Sequence, residues 1–253
     1  MPSPQTILSL DTSTPATSIA LVRESELISE HAEENSTAAG ASRTRNLHLL
    51  EDIDALLRAS KISLSEIDAF AVAAGPGSFT GIRTGIATVK AFAYATKRPV
   101  IAVPTLHAVA RAEAHPHDNQ LHGNQIVIAS IPTGRSELFA QLLEVSASGA
   151  VREAGAVRHV TIQILLDEMI DVEAASLLWI GDGARKYETQ INARMMIDAH
   201  AGKVWRVAHK PDSSLARHIG SIAHAELREG RADANAQGVN PIYVRPAYKI
   251  HKS

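Results

Sequence analysis

Two short stretches carry the side chains and the backbone freedom that phosphate chemistry would use. Asp11-Thr12-Ser13-Thr14 follows the apolar run Ile7 to Leu10, which sets an aspartate and three hydroxyls at a strand end. Kinase-like ATPases wrap phosphates with such a hairpin and keep the aspartate for the metal; the same residues also form ordinary Asx turns, and both readings stay open at this point. Gly75-Pro76-Gly77-Ser78-Phe79-Thr80-Gly81 lies between an apolar strand pattern and a helical one. Glycines there permit tight turns, and helix-start amides can hold an anion. The segment is not a dinucleotide fingerprint, because Thr80 occupies a glycine position and no acid ends the next strand. It is not a P-loop, and Ser78 lacks the flanking glycines of a nucleophile elbow. A phosphate loop and a structural turn are therefore the two readings of it. Gly181-Asp182-Gly183 ends a third apolar run, Leu177 to Ile180, and is the remaining candidate phosphate loop.

Other chemistries find less support. With no cysteine in the chain, disulfides, thiolate catalysis and thiolate zinc sites are excluded. There are 12 histidines, but no two stand three or four apart as helix-borne ligands would, so no HExxH-type site is expected. His115, His117 and His122 are read as solvated loop residues, with a weak surface metal contact as the alternative. The formal net charge of −2 gives no overall attraction to nucleic acid or an anionic membrane. The small basic clusters, Arg43 with Arg45 and Arg245, Lys249, His251 and Lys252 in the tail, are too few for a nucleic-acid footprint. A hydrophobic share of 45% over 253 residues suits one large or two small globular domains. No stretch approaches the length of a membrane span, so the expected location is the cytoplasm, without membrane contact.

The elements that must position these residues follow from periodicity. Ile7 to Leu10, Ser18 to Val22 and Leu27 to Glu30 read as antiparallel strands, followed by a polar loop. A helix is expected from Thr44 to Ala59, with Leu47, Leu50 and Leu57 on one face and Leu49, Ile53 and Leu56 on another. Two apolar faces imply either a sandwiched helix or an exposed interface patch. Ser63-Leu64-Ser65-Glu66 looks like a capped short helix, Ala69 to Ala74 a buried strand, and Phe79 to Thr96 a helix with Ile82, Ile86, Val89 and Ala93 at core spacing. Strands at Val100 to Val103, Ile126 to Ile131, Glu137 to Val145 and Leu177 to Ile180 come next, with helices at Leu106 to Glu113, Ile162 to Ile170 and Ser213 to Arg228. Trp179 and Trp205 flank apolar runs and are read as core. The second half thus repeats the first in element order.

Ile7-Leu8-Ser9-Leu10-Asp11-Thr12-Ser13-Thr14, Ser18-Ile19-Ala20-Leu21-Val22 and above all Gly75 to Gly85 resemble the TsaB (YeaZ) family. Pro104-Thr105-Leu106, Gly181-Asp182-Gly183-Ala184 and Pro241-Ile242-Tyr243-Val244-Arg245 extend the resemblance in order along nearly the whole chain. It implies an α/β fold of two related actin/hexokinase/Hsp70-like (ASKHA) domains with mixed sheets and flanking helices. The expected boundaries are 1–105 and 106–212, with helix 213–228 packing back on the first domain and a tail at 229–253. It further implies a non-catalytic subunit of the machinery for N6-threonylcarbamoyladenosine at tRNA position 37. In that machinery the TsaD transferase carries the activity and a metal, TsaE is an ATPase, and tRNA meets this chain only indirectly.

No catalytic residue, metal ligand or tightly bound cofactor is expected on this chain; ATP and metal belong to the partner subunits. The partner face implied by the resemblance combines the helices Thr44 to Ala59 and Phe79 to Thr96, with Leu47, Leu50, Leu57, Arg83 and Lys90 as its residues and homodimers as its alternative use. Asp11, Thr12, Ser13, Gly75, Gly77, Ser78, Gly181, Asp182 and Gly183 would then be vestigial phosphate loops. The chain departs from many relatives at Ser42 to Asn46, where they start the helix with His-Ser, and at Ile131 to Arg135, where an Asp-Ala-Arg turn loses its acid. One rival is an active kinase-like phosphotransferase with Asp11 near the metal and Gly181-Asp182-Gly183 near the nucleotide; only fragments of the needed phosphate loops are present. A glycoprotease lacks a metal pair, a cysteine and an activated serine.

Overall fold

In the computed structural model, which describes residues 5–24, 26–32, 48–114, 124–133, 136–198, 204–209, 214–230 and 238–244, the strand β1 (Thr6–Asp11) is buried along its whole length. A strand covered on both sheet faces must be apolar nearly throughout, and Ile7, Leu8 and Leu10 meet that demand. The strands β2 (Ser18–Arg23) and β3 (Glu26–Ala32) continue antiparallel from it, while β4 (Ala69–Gly75) and β5 (Val100–Pro104) join parallel on its other side. The order is β3-β2-β1-β4-β5.

Two helices, α1 (Leu49–Ser60) and α2 (Phe79–Thr96), cover one face of this sheet. Their Leu49, Ile53, Leu56, Ile82, Ile86 and Val89 share a core with Leu8, Leu10, Ile19, Leu21, Phe70 and Val72. Between α1 and β4, Ser63 to Glu66 forms a single 3-10 turn in which the Glu66 carboxylate accepts the Ser63 N–H at 2.8 Å.

The chain divides into two compact units, one of Met1–Ala108 with Asp212–Ile242 and the other of Val109–Pro211 with Tyr243–Ser253. The division falls within α3 (Thr105–Glu113). The second unit holds β6 (Gln125–Pro132), β7 (Glu137–Val145), β8 (Val151–Glu153), β9 (Arg158–Thr161), α4 (Ile162–Ile170), β10 (Ser176–Ile180), α5 (Gly181–Lys186), α6 (Glu188–Asp198) and β11 (Val204–Val207). Its order β11-β10-β6-β7-β8, with β9 also on β7, repeats the first sheet strand for strand: a hairpin on one side of the central strand and two parallel strands on the other. The expected α/β duplication is therefore present in the topology. Trp179 and Trp205 are both core residues, their rings 5.5 Å apart.

The last helix, α7 (Leu215–Arg228), belongs to the first unit and covers the sheet face opposite α1 and α2. Ser9 Oγ donates to the Ala216 carbonyl at 2.7 Å, and Gly220 lies so near the sheet that a Cβ would stand 2.7 Å from Val22 Cγ2. Among the described residues no helix is long and apolar enough to cross a membrane.

Candidate functional site

The turn after β1 and the glycine segment after β4 meet in the first unit, so the structure brings together Asp11, Thr12, Ser13, Gly75, Gly77 and Ser78. Asp11 is fully buried, and its two carboxylate oxygens take three donors: Ser13 N–H at 2.8 Å, Ser13 Oγ at 2.6 Å and Thr14 Oγ1 at 2.5 Å. Burial pushes the carboxyl above its ordinary range, against the hydrogen bonds from Ser13 and Thr14, which pull it down. Ser13 Oγ also lies 3.0 Å from Thr105 Oγ1. These hydroxyls point inward at the aspartate.

The glycines are filled from the same side. Thr12 Oγ1 donates to the Gly81 carbonyl at 2.7 Å, and the Ser78 N–H donates to the Ser13 carbonyl at 2.7 Å. A Cβ at Gly81 would overlap the Thr12 carbonyl oxygen, one at Gly77 the Ser13 carbonyl oxygen, and one at Gly85 the Thr12 hydroxyl. At Gly75, where φ is +111°, the space is taken by the tail: the Ile242 carbonyl oxygen stands 2.7 Å from where a Cβ would be, and the Ile242 N–H donates to the Ala74 carbonyl at 2.7 Å. Ser78 caps α2 by accepting the Gly81 N–H at 3.2 Å. At each of these glycines the place of a side chain is taken by oxygen atoms of the chain itself.

Gly181, Asp182 and Gly183 are placed in the second unit, where they begin α5, a helical turn the sequence reading takes as a loop. Glu113 Oε2 accepts the Gly181 N–H at 2.8 Å, and Arg185 grips Glu113 through both guanidinium nitrogens at 2.8 and 3.0 Å. Arg185 also reaches Asp182 Oδ1 at 2.8 Å, so the candidate acid is already paired. Burial works against the Arg185 charge, but the bonds to Glu113 and Asp182 outweigh it and hold the guanidinium above its ordinary value. Sequence reasoning missed Glu113 and Arg185; an acid closing one helix and an arginine one turn into another leave no local pattern.

The helical face has the opposite character. Leu50 on α1 is 61% exposed, and on α2 Phe79 is 57% and Tyr94 78% exposed, with Arg83 exposed and Lys90 half-buried between them. The Arg83 guanidinium sits 5.0 Å from the Phe79 ring centre, and Lys97 Nζ 4.3 Å from that of Tyr94. Leu57 does not share this face: it is 8% exposed and part of the core. The chain folds back after α1, with the Ile62 N–H donating to the Leu57 carbonyl at 3.1 Å and Ile62 and Leu64 packed on the same core. Leu47 and the Ser42 to Asn46 departure lie outside the described residues, as do Arg135, the loop histidines 115, 117 and 122, and the basic tail. Phe79 and Tyr94 were missed, although Phe79, Arg83, Ala87, Lys90 and Tyr94 recur at helical spacing on a side distinct from Ile82, Ile86, Val89 and Ala93.

Comparison with known proteins gives a consistent family. Residues 32–174 match the family described as TsaD, tRNA N6-adenosine threonylcarbamoyltransferase. The Haemophilus influenzae tRNA threonylcarbamoyladenosine biosynthesis protein TsaB is 37% identical over 134 residues, 53% of this chain and 52% of that protein, so the match spans about half the length of that curated relative. The Bacillus subtilis protein of the same name is 24% identical over 96% of this chain and 95% of its own. Among solved structures, YeaZ from Pseudomonas aeruginosa superposes with a TM-score of 0.70 at 25% identity, covering 95% of this chain and all of that one. A ROK hexokinase from Thermus thermophilus, at TM-score 0.51 and 12% identity over 89% of this chain and 100% of its own, shares the fold.

Proposed function

Because the chain belongs to the TsaB (YeaZ) family, within the wider threonylcarbamoyltransferase family, we propose that it serves the synthesis of N6-threonylcarbamoyladenosine in tRNA as a non-catalytic subunit that docks on and activates the TsaD transferase. The observation that carries this reading is the exposed apolar outer face of α1 and α2, with Leu50, Phe79 and Tyr94, on helices whose inner faces are fully committed to the core. Three large apolar side chains exposed on one pair of helices, beside charged residues, suit a docking face. TsaE joins the pair once it has formed, and tRNA is contacted through the complex.

The chain holds no nucleotide in its first unit and performs no phosphoryl transfer. In support, the Asp11 oxygens are already taken by Ser13 and Thr14, and the glycines are packed by Thr12, Ser13 and Ile242. These residues do not fit a phosphate group. The kinase-like rival would be revived by ATP turnover from the purified chain with any small hydroxyl substrate.

The test is affinity for the cognate transferase. Leu50→Asp combined with Phe79→Asp leaves the fold intact and weakens binding at least tenfold, because each would bury an unpaired charge at the interface. Unchanged affinity would remove the docking face from α1 and α2.

A further inference from the structure

The formal charge of the whole chain conceals a segregation along it. Between Asp68 and Glu113 there is no acidic residue, and this stretch includes all of α2. Its bases Arg83, Lys97 and Arg98 are exposed, and Lys90 is half-buried. Among the described residues neither Lys90 nor Lys97 has an acid partner. Arg98 reaches Asp68 only at 3.9 Å, and the other oxygen of that carboxylate accepts the Thr6 N–H at 2.9 Å. A cation at a helix C-terminus complements the helix dipole, which accounts for Lys97 at the cap of α2 but not for Arg83 and Lys90 in earlier turns.

Aromatic rings are interleaved with these bases. Tyr94 is the most exposed of them, with Lys97 over its ring, and Lys90 and Lys97 stand one turn before and one turn after it on the same side of the helix. Fifteen residues separate Phe79 from Tyr94, about 22 Å along the axis, so the two rings mark opposite ends of α2. The helix α1 leads into β4 and α2 into β5, and those strands are parallel, so both helices finish at the same end of the sheet. There α1 adds Arg58 and, at its cap, the exposed Lys61, while its acids Glu51 and Asp52 lie in the first turn with Leu50. Of the acids nearer this end, Asp54 is paired with Arg58 at 3.0 Å and Glu66 accepts from Ser63 N–H and Oγ at 2.8 and 2.7 Å.

We propose that the C-terminal end of α2, with Lys90, Tyr94, Lys97 and Arg98, contacts the tRNA directly, a base stacking on Tyr94 and the phosphates on either side of it meeting the bases of the helix. This deepens the functional reading and rests on it for the identity of the RNA: the outer face is divided along its length, its Leu50 and Phe79 end left to the transferase and its Tyr94 end given to tRNA. It departs from the indirect contact that the family resemblance implies. An exposed ring flanked by cations without acid partners suits single-stranded RNA, because every base offers a face to stack and every phosphate a charge to neutralise.

Two variants test it, Lys97→Glu with Arg98→Glu, and Tyr94→Ala. The probe is a labelled, unmodified tRNA transcript titrated with the chain alone and with its complex with the transferase over a series of salt concentrations. Wild type is expected to bind in both forms with an affinity that falls with salt. The double reversal should bind about tenfold or more weakly, with a log–log salt dependence shallower by about 1 to 2, and Tyr94→Ala about fivefold more weakly with the slope unchanged. The double reversal should keep wild-type affinity for the transferase, which also shows that it is folded. A wild type without affinity for tRNA, or either variant binding tRNA as tightly as wild type, would overturn the assignment. So would a double reversal that loses the transferase, since the end of α2 would then be a protein contact. The functional reading fails separately: a wild type that binds tRNA but no transferase removes the docking face and leaves this site, and one that binds the transferase but no tRNA does the reverse.

Discussion

The two units share one strand order, yet they close the glycine end of the strand that lies parallel beside the central one, β4 or β10, with different chemistry. In the first, β4 ends at Gly75 above a hydroxyl lattice: Asp11 is buried among Ser13 and Thr14 hydroxyls, and backbone carbonyls of Thr12, Ser13 and Ile242 press against the glycines. In the second, β10 ends at Gly181 under an ion-pair network in which Glu113 and Arg185 tie the start of α5 to the end of α3. The fold needs only that the exposed amides and carbonyls at that crossing be satisfied, and a ligand phosphate, a set of hydroxyls or a salt bridge can each do so. Both crossings here are satisfied by the chain itself, and of the exposed large apolar residues Leu50, Phe79 and Tyr94 lie on α1 and α2 while Leu27, Ile28, Met196, Val204 and Tyr243 lie elsewhere.

The comparison is broken most severely at Gly81. Gly81→Ala would drive a Cβ into the Thr12 carbonyl, a backbone atom that cannot yield, and a loss of about 4 kcal/mol or more in urea unfolding is expected. Gly183→Ala meets Ser130 Oγ at 2.7 Å, Leu138 Cδ2 at 2.9 Å and the Ser130 backbone carbon at 2.9 Å, a milder overlap than at Gly81, so a smaller loss of about 1–3 kcal/mol is expected there. Equal losses at the two positions would mean that the hydroxyl lattice is no tighter than the ion-pair network.

Glu113→Ala leaves the Arg185 guanidinium without its bidentate partner and the Gly181 N–H without an acceptor. With Glu113 only 4% exposed, denaturation should register a loss of about 3–5 kcal/mol. Asp11→Ala strands neutral donors instead, and about 1–3 kcal/mol is expected. The two sites also differ in pH response. The folded pKa of Asp11 is raised, so its contribution to stability is present at acid pH and is lost as pH rises through the raised value. Asp11→Asn removes that titration, and its stability relative to wild type should improve as pH rises above the ordinary carboxylate range; a pH-independent difference would show that folding does not shift the Asp11 pKa, and a difference of opposite sign that folding lowers it.

Strands and helices with strong periodicity were legible in the sequence, and so was their repetition. What escaped were elements too short or too polar to show a period. β8 has one apolar residue in three, and α6 presents mainly Ile191 and Met195 to its core. The glycine motif was legible as a strand-to-helix turn, but whether a ligand or the chain fills it depends on Ile242, more than 150 residues away, and no local pattern reports that. Likewise Leu57 and Leu50 are seven apart on α1 and look equivalent, yet Leu57 joins the core, with Ile62 and Leu64 packed on the same cluster, and Leu50 is exposed; spacing along one helix does not separate them.

On the outer face the expected stability effects are the smallest, about 0.5 kcal/mol or less for Leu50→Asp, because nothing buried is disturbed. Function should respond in the opposite order. The direct measurement is tRNA threonylcarbamoylation by a reconstituted mixture of the cognate transferase, TsaE and the threonylcarbamoyl-adenylate synthase, run without this chain, with it, with the Leu50→Asp and Phe79→Asp double variant, and with Asp11→Asn. Activity that needs the chain, collapses with the face variant and survives Asp11→Asn is the predicted result. Full activity without the chain or with the face variant, or loss of activity with Asp11→Asn alone, would contradict it.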